Sequence, residues 1–552
     1  MRTFSLLTVM SFLSLGACGS DNAEDSAPQE SAAPDSSSSD DSGDTPVEPT
    51  VCEHLELTAR PFEQAEDNPS LGAVAGDFEV NTTQGTFRLS ESWTGCETYL
   101  LIQDEPTQAT GWPRALWDRD RDVADLLKTL PENTHVLFFS TLNNIGKREE
   151  ALGSLEAKVN KALRSWEDEE KAWRKDRIHY VTSKIRNLEE WTGIALRSPG
   201  WGIGIDRFQR IRYIGSYADP TRYNSEQGWF EPNLSMAANE AIYYNFEAER
   251  EARLVAQNAD VFPIWEGETI GCGWSGRCTT TSVELPDAAQ MATYDSLELD
   301  ITTACVGDGE YGECPPWDYL VYLYLCEDDN PESCPVEFGR WITTYHREGR
   351  WVHDVSSLLP YLKDGGTKHF SFETVQSYDI DLSLRLFNSN KEETASSLTP
   401  LFNGGGFHST SNDAYLPVEL PIPDTAKKVE VAYVISGHGM AEPGNCAEFC
   451  ITDHLFGVNS DENLVSLVDA GVQYGCQEQV AEGTVPNQYG TWWYGRSNWC
   501  PGREVQLKTI DVTDQVVLGE NATFTYTGSF NGAPYPAGGA SMRLKSWLVI
   551  SE

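Results

Sequence analysis

The stretch SLELDITT, residues 296–303, is the first of eight short β-rich segments that fill the C-terminal half of the chain. From about residue 261 onward, helical periodicity largely disappears and Gly, Pro, Asn and Asp separate the segments. Strands at this density over roughly 290 residues are typical of β-sandwiches, and the length predicts two of them. The other seven segments are YLVYLYLC (319–326), FGRWITTY (338–345), KHFSFETV (368–375), IDLSLRLF (380–387), KVEVAYVIS (428–436), TFTYTGSF (523–530) and RLKSWLVIS (543–551).

The boundary between the two predicted sandwiches is a Gly-rich segment near residues 398–415. Gly, Asn and Ser clusters mark the loops between regular elements. We therefore expect one sandwich over residues 261–397 and the other over residues 398–552.

The N-terminal part of the chain alternates strand-like and helical segments, which is typical of an α/β domain. GDFEVNTTQGTFRLSESW (76–93) predicts a hairpin that turns at Gly85, and THVLFFSTL (134–142) predicts a strand ahead of a charged helical stretch. The hairpin segment resembles thioredoxin-like proteins. Because no C-x-x-C occurs there, a thioredoxin mechanism lacks its resolving thiol, and residues 67–228 are interpreted as a binding or spacer module. Residues 229–260 predict a linking helix.

The first residues have the features of an export signal. One arginine and a short apolar stretch precede Leu15-Gly16-Ala17-Cys18, which has the form of a bacterial lipoprotein cleavage site. The stretch is shorter than the about 20 apolar residues of a membrane-spanning helix, so residues 1–17 predict a removed signal peptide. The alternative is an ordinary secretory signal cleaved elsewhere. With Cys18 lipidated, the protein would be exported and anchored to a bacterial membrane, at the outer membrane or the cell surface.

Charge is unevenly distributed and strongly negative. Residues 19–50 carry nine acidic side chains and no basic ones, which predicts a disordered acidic tether over residues 18–66. The net charge of the whole chain is −45. Such a charge argues against nucleic acid as a partner and favours a neutral or weakly charged substrate.

Cysteine usage agrees with an exported protein. Of 13 cysteines, Cys18 would carry the lipid, and the remaining 12 are an even number, which in an exported chain indicates disulfides. A zinc site is the competing account, but structural zinc motifs repeat spacings of two to four residues, and these spacings do not repeat. The predicted pairs are Cys52–Cys96, Cys272–Cys278, Cys305–Cys314, Cys326–Cys334, Cys446–Cys450 and Cys476–Cys500.

Six segments of the C-terminal half stand out by their order and separations. They are CPPWDYLVYLYL (314–325), GRWITTY (339–345), HFSFETV (369–375), ISGHGMAEP (435–443), GNCAEFC (444–450) and GRSNWCPG (495–502). Together they resemble the peptide:N-glycosidase F family over about residues 261–552. The resemblance implies two consecutive eight-stranded jelly rolls packed side by side, with the active site in the cleft between them. The predicted fold class is therefore mainly β, with two jelly-roll β-sandwiches preceded by an α/β thioredoxin-like domain and a linking helix.

The resemblance also implies an activity and three catalytic acids. The reaction is hydrolysis of the bond between an asparagine side-chain amide and the first N-acetylglucosamine of an N-glycoprotein or glycopeptide, by a monomer that uses no metal or cofactor. Such chemistry is accessible to carboxylates that share the proton traffic. Asp318 matches the family's primary aspartate, which acts on water or orients the amide, and Glu448 and Glu373 match two further site glutamates.

Disulfides would hold two of these acids on short loops. Neighbouring Cβ atoms on a helix lie about 5–6 Å apart, whereas a disulfide needs about 3.8 Å, so Cys446–Cys450 predicts a tight non-helical loop with Glu448 at its apex. Cys305–Cys314 would likewise brace the loop before Asp318. Taken singly, each acid could equally well be an ordinary residue of a surface loop. Both acids lie on loops held by disulfides and in the family's order, and this combination favours a catalytic site.

The remaining site residues show matches and departures. Arg496 and Trp499 match a site arginine and an aromatic, and Trp317 precedes the aspartate. Tyr319 stands where the family has an arginine, and His438 where it has a tryptophan. Val375, Met440 and Phe449 replace two tryptophans and a histidine. The loss of indoles removes stacking surface, so we expect hydrolysis to be retained and the glycan preference to differ.

Two other function classes fit the same residues. Paired carboxylates beside a sugar also serve glycoside hydrolases. Jelly rolls are also lectin folds, so a carbohydrate-binding lipoprotein without turnover is the second alternative. The three acids favour an enzyme over the lectin.

Overall fold

The computed structural model describes residues 50–105, 115–188, 191–197, 200–307, 309–536 and 538–552. The predicted signal peptide, the lipidation site Cys18 and the tether up to residue 49 lie outside the described residues. Among the described helices, none is long and apolar enough to cross a bilayer.

The α/β prediction for the N-terminal domain is confirmed. Seven strands form one mixed sheet in the order β2-β1-β5-β4-β3-β6-β7, with β3, β4 and β5 parallel and the outer pairs antiparallel. All positions of β3 and β4 are buried, as expected for central parallel strands covered on both faces. The predicted hairpin is β1–β2, and Gly85 opens its second strand with φ 130°. The strands are β1 (Glu79–Thr82), β2 (Gly85–Arg88), β3 (Thr98–Gln103), β4 (Thr134–Phe139), β5 (Ile178–Val181), β6 (Gly202–Ile205) and β7 (Ile211–Tyr213). The helices are α1 (Val51–His54), α2 (Leu89–Ser92), α3 (Asp120–Thr129), α4 (Ile145–Ala162), α5 (Asp168–Asp176) and α6 (Trp191–Ala195).

The tether prediction was wrong for residues 50–66, because these residues fold onto the α/β domain. Thr50 and Glu53 form a capping box at the start of α1, and Cys52 is bonded to Cys96. Further along, Gln209 accepts from the amide of Glu63 at 2.8 Å and donates to its carbonyl at 2.8 Å. The amino-acid composition of residues 50–66 shows their acidic bias, but it cannot show contacts with residues this distant in sequence.

The linking helix is shorter than the predicted residues 229–260. A hairpin of β8 (Ala218–Asn224) and β9 (Trp229–Pro232) comes first, and the helix itself is α7 (Ala238–Gln257). The α/β domain therefore joins the first sandwich through one long, partly buried helix.

The first sandwich packs two antiparallel sheets face to face, in the orders β10-β17-β12-β15 and β11-β16-β13-β14-β25, where the edge strand β25 (Arg503–Glu504) comes from the second half of the chain. Alternation explains the packing: in β17 the side chains of Ile380, Leu382, Leu384 and Leu386 are completely buried in the sandwich. The polar residues between them lie on the other face of the sheet, where Arg385 is buried and donates to the Leu254 carbonyl of α7. The strands are β10 (Asp260–Ile270), β11 (Thr279–Asp287), β12 (Ser296–Ala304), β13 (Leu320–Cys326), β14 (Val336–Ile342), β15 (Gly349–Asp354), β16 (Gly365–Thr374) and β17 (Tyr378–Phe387), with the short helix α8 (Ala288–Met291) after β11.

The second sandwich has the orders β18-β28-β20-β26 and β19-β27-β23-β24, which are eight strands, as predicted. Three further strands follow in this part of the chain: β21 and β22 form a separate two-stranded sheet, and β25 joins a sheet of the first sandwich. The predicted boundary at 397/398 was wrong, because it falls inside β18, which pairs with β28. The strands are β18 (Ala395–Gly404), β19 (Val418–Pro421), β20 (Lys428–His438), β21 (Met440–Ala441), β22 (Cys446–Ala447), β23 (Asp453–Val458), β24 (Asp461–Ser466), β25 (Arg503–Glu504), β26 (Lys508–Asp511), β27 (Asn521–Ser529) and β28 (Ser541–Ser551).

The two sandwiches are joined by backbone and side chains. β25, from the second half of the chain, pairs with β14 at the edge of the first sandwich. Arg340 on β14 is buried, pairs with Glu337 at 2.7 Å and donates to Ser436 Oγ on β20 at 2.7 Å. The relative position of the two sandwiches is thus fixed by hydrogen bonds that cross between them.

All six predicted disulfides are confirmed. The bonded pairs are Cys52–Cys96, Cys272–Cys278, Cys305–Cys314, Cys326–Cys334, Cys446–Cys450 and Cys476–Cys500.

Candidate active site

Asp318 lies in the turn that leads into β13, just beyond the loop closed by Cys305–Cys314. One residue, Thr343, fixes the chain on both sides of it. The Thr343 hydroxyl donates to the carbonyl of Trp317 at 2.9 Å and accepts from the amide of Tyr319 at 2.8 Å. The position of Asp318 is therefore set by the neighbouring strand end and not by its own loop alone.

Glu448 lies between the bonded cysteines 446 and 450, in the predicted non-helical loop. Its amide donates to the carbonyl of Gly439 at 3.2 Å, and the Gly439 amide donates to Glu448 Oε2 at 3.2 Å. The Ser497 amide donates to the Glu448 carbonyl at 2.9 Å. This loop sits very close to β20, since a Cβ on Gly437 would meet the Ala447 carbonyl at 2.2 Å. Glycine is required there by close approach.

Arg496 brings the two acids together. Its side chain is 1% exposed; Nη2 lies 3.6 Å from Asp318 Oδ2 and Nε lies 3.4 Å from Glu448 Oε1. Nη1 donates to the carbonyls of Thr491 at 3.0 Å and Tyr494 at 2.7 Å, which fixes the plane of the guanidinium. One buried cation thus serves two carboxylates, each 16% exposed.

Burial raises the pKa values of both acids. Burial, opposed by Arg496 and supported by the charge of Asp318, raises the pKa of Glu448 to about 7. Burial also raises the pKa of Asp318, while Arg496 and a hydrogen bond from Tyr345 oppose this rise. A carboxyl group with a pKa of about 7 is suited to acid–base chemistry near neutral pH.

Tyr345 is a site residue that the sequence analysis did not single out. Its hydroxyl forms a hydrogen bond with the Asp318 side chain and lies 3.5 Å from Arg496 Nη2. Burial and the charge of Asp318 raise the pKa of Tyr345, so the phenol stays protonated and donates. The available signal was its place at the end of GRWITTY, one of the segments that carry the family resemblance.

His438 and Trp499 form the wall of the site on the second sandwich. The two rings are stacked 5.0 Å apart, and Trp499 Nε1 donates to the carbonyl of Gly437 at 2.6 Å. The guanidinium of Arg496 lies 5.1 Å from the Trp499 ring centre. Burial and the nearby arginines 340 and 543 hold the pKa of His438 well below its usual range. His438 is therefore neutral and is unsuited to proton donation.

Trp317 is exposed at the site and is not a core residue. It is 56% exposed and meets Tyr345 edge-on, with ring centres 6.5 Å apart. A large exposed indole directly before Asp318 offers a flat apolar surface to a ligand.

Glu373 stands apart from the other two acids. It lies on β16 opposite Tyr322 of β13. Burial raises the pKa values of Tyr322 and Tyr324, and the charge of Glu373 adds to both shifts. Within the described ranges, no hydrogen bond or ion pair joins Glu373 to Asp318, Glu448 or Arg496. The structure brings two of the three predicted catalytic acids together. In the same ranges, no group of three His, Cys, Asp or Glu side chains could hold a metal ion.

Comparison with known proteins gives a family match within the second sandwich. The family model described as "Peptide-N-glycosidase F, C terminal" matches residues 407–551. No curated protein matches the chain. Similar solved structures include recombinant peptide:N-glycanase F, with 18% identity, 53% of this chain and 96% of that chain covered, and a TM-score of 0.44. The glycosylasparaginase PNGase F from Flavobacterium meningosepticum gives the same values. PNGF-II has 14% identity, 55% and 66% coverage, and a TM-score of 0.41.

Proposed function

We propose that this chain, whose residues 407–551 match the peptide-N-glycosidase F C-terminal family model, is an exported peptide:N-glycosidase-type amidase. It hydrolyses the bond between the asparagine side-chain amide and the first N-acetylglucosamine of N-glycoproteins or glycopeptides. The observation that carries the proposal is the shared ion pair, in which buried Arg496 lies 3.6 Å from Asp318 and 3.4 Å from Glu448.

Asp318 acts as the general base. Burial raises its pKa, but Arg496 and a hydrogen bond from the Tyr345 hydroxyl both stabilise its ionised form, and the role of base is assigned to it on that ground. Glu448, with its pKa raised to about 7, retains a proton over much of the same range and acts as the general acid. In this proposal one buried cation lies beside both the base and the acid.

The reaction balances with these two groups and one water. The water oxygen forms a bond to the amide carbon while Asp318 takes one of its protons. The carbon–nitrogen bond then breaks as Glu448 gives its proton to the departing nitrogen. The products are an aspartate side chain and a glycosylamine, and a proton passes from Asp318 back to Glu448 to restore the site.

The sugar and the peptide bind around this pair. Trp317 supplies an exposed apolar face beside Asp318, and Trp499 with His438 closes the opposite wall. Glu373, set further along the same sheet as Asp318, accepts hydrogen bonds from the substrate and takes no part in the proton transfers, since no described contact couples it to the pair.

The test is incubation of residues 50–552 with a denatured N-glycoprotein in heavy-oxygen water, followed by mass spectrometry. Conversion of glycosylated asparagine to aspartate with one heavy oxygen supports the amidase. If an N-acetylglucosamine stays on the asparagine, the enzyme is a glycoside hydrolase. Binding of glycopeptide without any release would make the chain a lectin.

The proposed setting is a bacterial membrane surface, with the chain anchored as a monomer through lipid on Cys18. The supporting observation is the set of six disulfides, which indicates an oxidising compartment. Cys18→Ser should move the protein from the membrane fraction to the soluble fraction. Retention of the variant on the membrane would show that the anchor lies elsewhere.

A further inference from the structure

A cavity of about 600 Å³ opens in the α/β domain, between the turn that joins α4 to α5, the turn after α3 and the short helix α1. Its volume lies within the range of small-molecule sites, about 300–1,000 Å³. The described residues that line it include none of the candidate active site. The cavity is therefore a separate feature of the protein that the proposed amidase reaction does not use.

Hydrogen bonds hold the walls of this cavity in place. Trp173 Nε1 donates to the carbonyl of Glu132 at 3.0 Å. Arg174 Nη1 donates to the carbonyl of Pro131 at 3.0 Å, and Nη2 donates to that of Leu130 at 2.8 Å. These bonds tie α5 to the turn after α3, so a ligand would enter a cavity that is already formed. Preorganised walls reduce the cost of binding.

Arg174 lines the cavity and has a donor without a partner. The residue is 5% exposed, and in the described part of the chain its Nε makes no hydrogen bond. Burial and the positive charge of Arg177 lower the pKa of Arg174 to about 10, so the guanidinium is charged but poorly compensated. Buried donors of native proteins almost always have a partner, and an acceptor oxygen of a ligand would supply one here.

Trp166 offers a free indole to the same cavity. It is half-buried, and within the described ranges its ring forms no aromatic pair or cation–π contact and its Nε1 makes no hydrogen bond. Trp173, by contrast, is packed against the Arg177 guanidinium, 3.6 Å from the ring centre, and against His54, with ring centres 5.1 Å apart. Trp166 is therefore the surface on which the flat apolar face of a ligand can pack.

Four carboxylates also line the cavity. All four residues are exposed, and none forms an ion pair within the residues that the structure describes. The nearby Lys171 pairs with Asp168 instead. Ionised carboxylates only accept hydrogen bonds, so they favour a ligand that donates. The four are Glu132, Glu167, Glu169 and Glu170.

These groups together fit an uncharged saccharide. Its hydroxyls donate to carboxylates, one of its oxygens accepts from Arg174, and the apolar C–H face of a pyranose packs on an indole such as Trp166. A cation would lie beside the charge of Arg174, and an anion would meet the four carboxylates. A neutral polyhydroxy ligand meets neither repulsion.

We propose that this cavity is a carbohydrate-binding site of the α/β domain, separate from the active site, for a neutral saccharide. A sugar ring packs on Trp166, and an oxygen of the sugar accepts from Arg174. The site would attach the chain to a glycan other than the one that enters the cleft between the sandwiches. This goes beyond the proposed amidase and does not depend on it, because a catalytically inactive chain would bind equally well.

The experiment labels the full chain with 5-fluorotryptophan, so that fluorine NMR follows its 17 tryptophans separately. The probes are cellotriose and N,N′-diacetylchitobiose, and the two cavity signals are assigned with Trp166→Phe and Trp173→Phe. Both signals should shift and saturate with at least one of the two saccharides. The signal of Trp229, half-buried on β9 outside the cavity, should stay in place.

Two variants test the cavity itself, with the Trp173 signal as the readout. Trp166→Ala should weaken saccharide binding about 3- to 10-fold, the range of one lost aromatic contact. Ser165→Arg places a large side chain at an exposed position of the lining and should weaken binding without a change in Tm. Trp229→Ala is the matched control and should leave the affinity unchanged.

Unchanged affinity in both cavity variants would overturn the proposal, as would the absence of any saturable shift of the Trp166 and Trp173 signals. Shifts confined to Trp317 and Trp499 would assign saccharide binding to the active site and would also overturn it. A shift of the cavity signals by spermidine and by neither saccharide would make the cavity a site for organic cations instead. Because the readout is binding and not turnover, failure of the proposed amidase would leave the result of this experiment intact.

Discussion

Arg496 Nε lies 3.4 Å from Glu448 Oε1, yet within the described structure that Nε makes no hydrogen bond. The contact is close enough for Coulomb attraction but is poorly aligned. Because charge-assisted hydrogen bonds stabilise an ionised carboxylate most, Glu448 receives only part of the stabilisation that burial demands. Burial outweighs the attraction of Arg496 and raises the pKa of Glu448 to about 7, which suits this residue to the role of proton donor in the proposed reaction.

The first prediction concerns Asp318. Asp318→Asn should keep the fold, because the amide has the same shape and the turn is held by Thr343. Activity should fall about 10²- to 10⁴-fold, the usual contribution of a general base. The measurement is glycan release from a glycopeptide, with circular dichroism as the check on folding. Near-normal release would move the base to another residue.

The second prediction concerns stability against pH. The folded-state pKa of Glu448, about 7, lies above its ordinary value of 4.5, so the folded state binds more protons between these values. Stability from this group is therefore lost as pH rises from about 4.5 to about 7. Glu448→Gln should remove that loss and gain up to about 3 kcal/mol in free energy of unfolding relative to wild type at high pH.

Urea unfolding at several pH values measures this difference. Glu462→Gln, at an exposed position of β24, is the control and should run parallel to wild type. A parallel curve for Glu448→Gln as well would mean that Glu448 is not held in an unfavourable environment.

The third prediction concerns the shared cation. Arg496→Gln leaves two buried carboxylates that repel each other, so the pKa of Asp318 should rise. The acidic limb of the pH–rate profile should move to higher pH, and activity at the optimum should fall about 10²- to 10³-fold, as when a preorganised charge is removed. Arg503→Gln, also buried but paired with Glu482 and Glu504, is the control. If both variants leave the acidic limb in place, Arg496 is only a structural ion pair.

Strong alternation of apolar and polar residues made the sandwich strands predictable. Where this alternation is weak, the sequence did not reveal the strand. All eight β-rich segments are strands in the structure. β10 was not predicted because it contains Pro263 and Gly267, and both residue types usually mark the end of a strand. At the site, the order of the motifs identified Asp318, Glu448 and Arg496. It did not identify Thr343 and Tyr345, which follow the end of β14 and meet Asp318 and its neighbours only in the folded structure. The separation of Glu373 from Asp318 depends on the register of β16 against β13, where Glu373 lies opposite Tyr322, and motif spacing does not encode this register.

The fourth prediction concerns two disulfides of different span. Cys446–Cys450 closes four residues and Cys476–Cys500 closes 24, and longer loops lose more unfolded-state entropy when bonded. Replacing Cys446 and Cys450 by Ser should therefore lower activity much more than Tm, because the Glu448 carboxyl group is no longer held in position. Replacing Cys476 and Cys500 should lower both. If the first variant melts much earlier but shows normal turnover while it is folded, the Cys446–Cys450 disulfide stabilises the structure and does not position Glu448.

The last prediction concerns the α/β domain, which packs against the loop that holds Arg496 in place. Residues 484–494 of this loop include the carbonyls of Thr491 and Tyr494 that bind Arg496. Asn487 of the loop donates to Glu240 of α7 at 2.9 Å and accepts from the Ser216 amide at 2.7 Å.

The approach of the two parts is close and polar. A Cβ on Gly215 would meet the Asn487 carbonyl at 2.0 Å. Glu240 also accepts from buried Arg347 at 2.8 Å, and Arg347 in turn donates to the Pro486 carbonyl at 2.6 Å. The α/β domain is therefore expected to support the active-site loop in addition to its own fold.

Glu240→Ala removes one partner of a buried ion pair, which typically costs about 3–5 kcal/mol, so Tm should fall. If the domain positions the loop, hydrogen exchange in residues 484–494 should also speed up and kcat should fall with little change in KM, at a temperature where the variant is fully folded. Glu249→Ala, exposed on the same helix, should change none of these. A lower Tm with unchanged kcat and unchanged exchange in the loop would mean that the α/β domain stabilises the protein without shaping its active site.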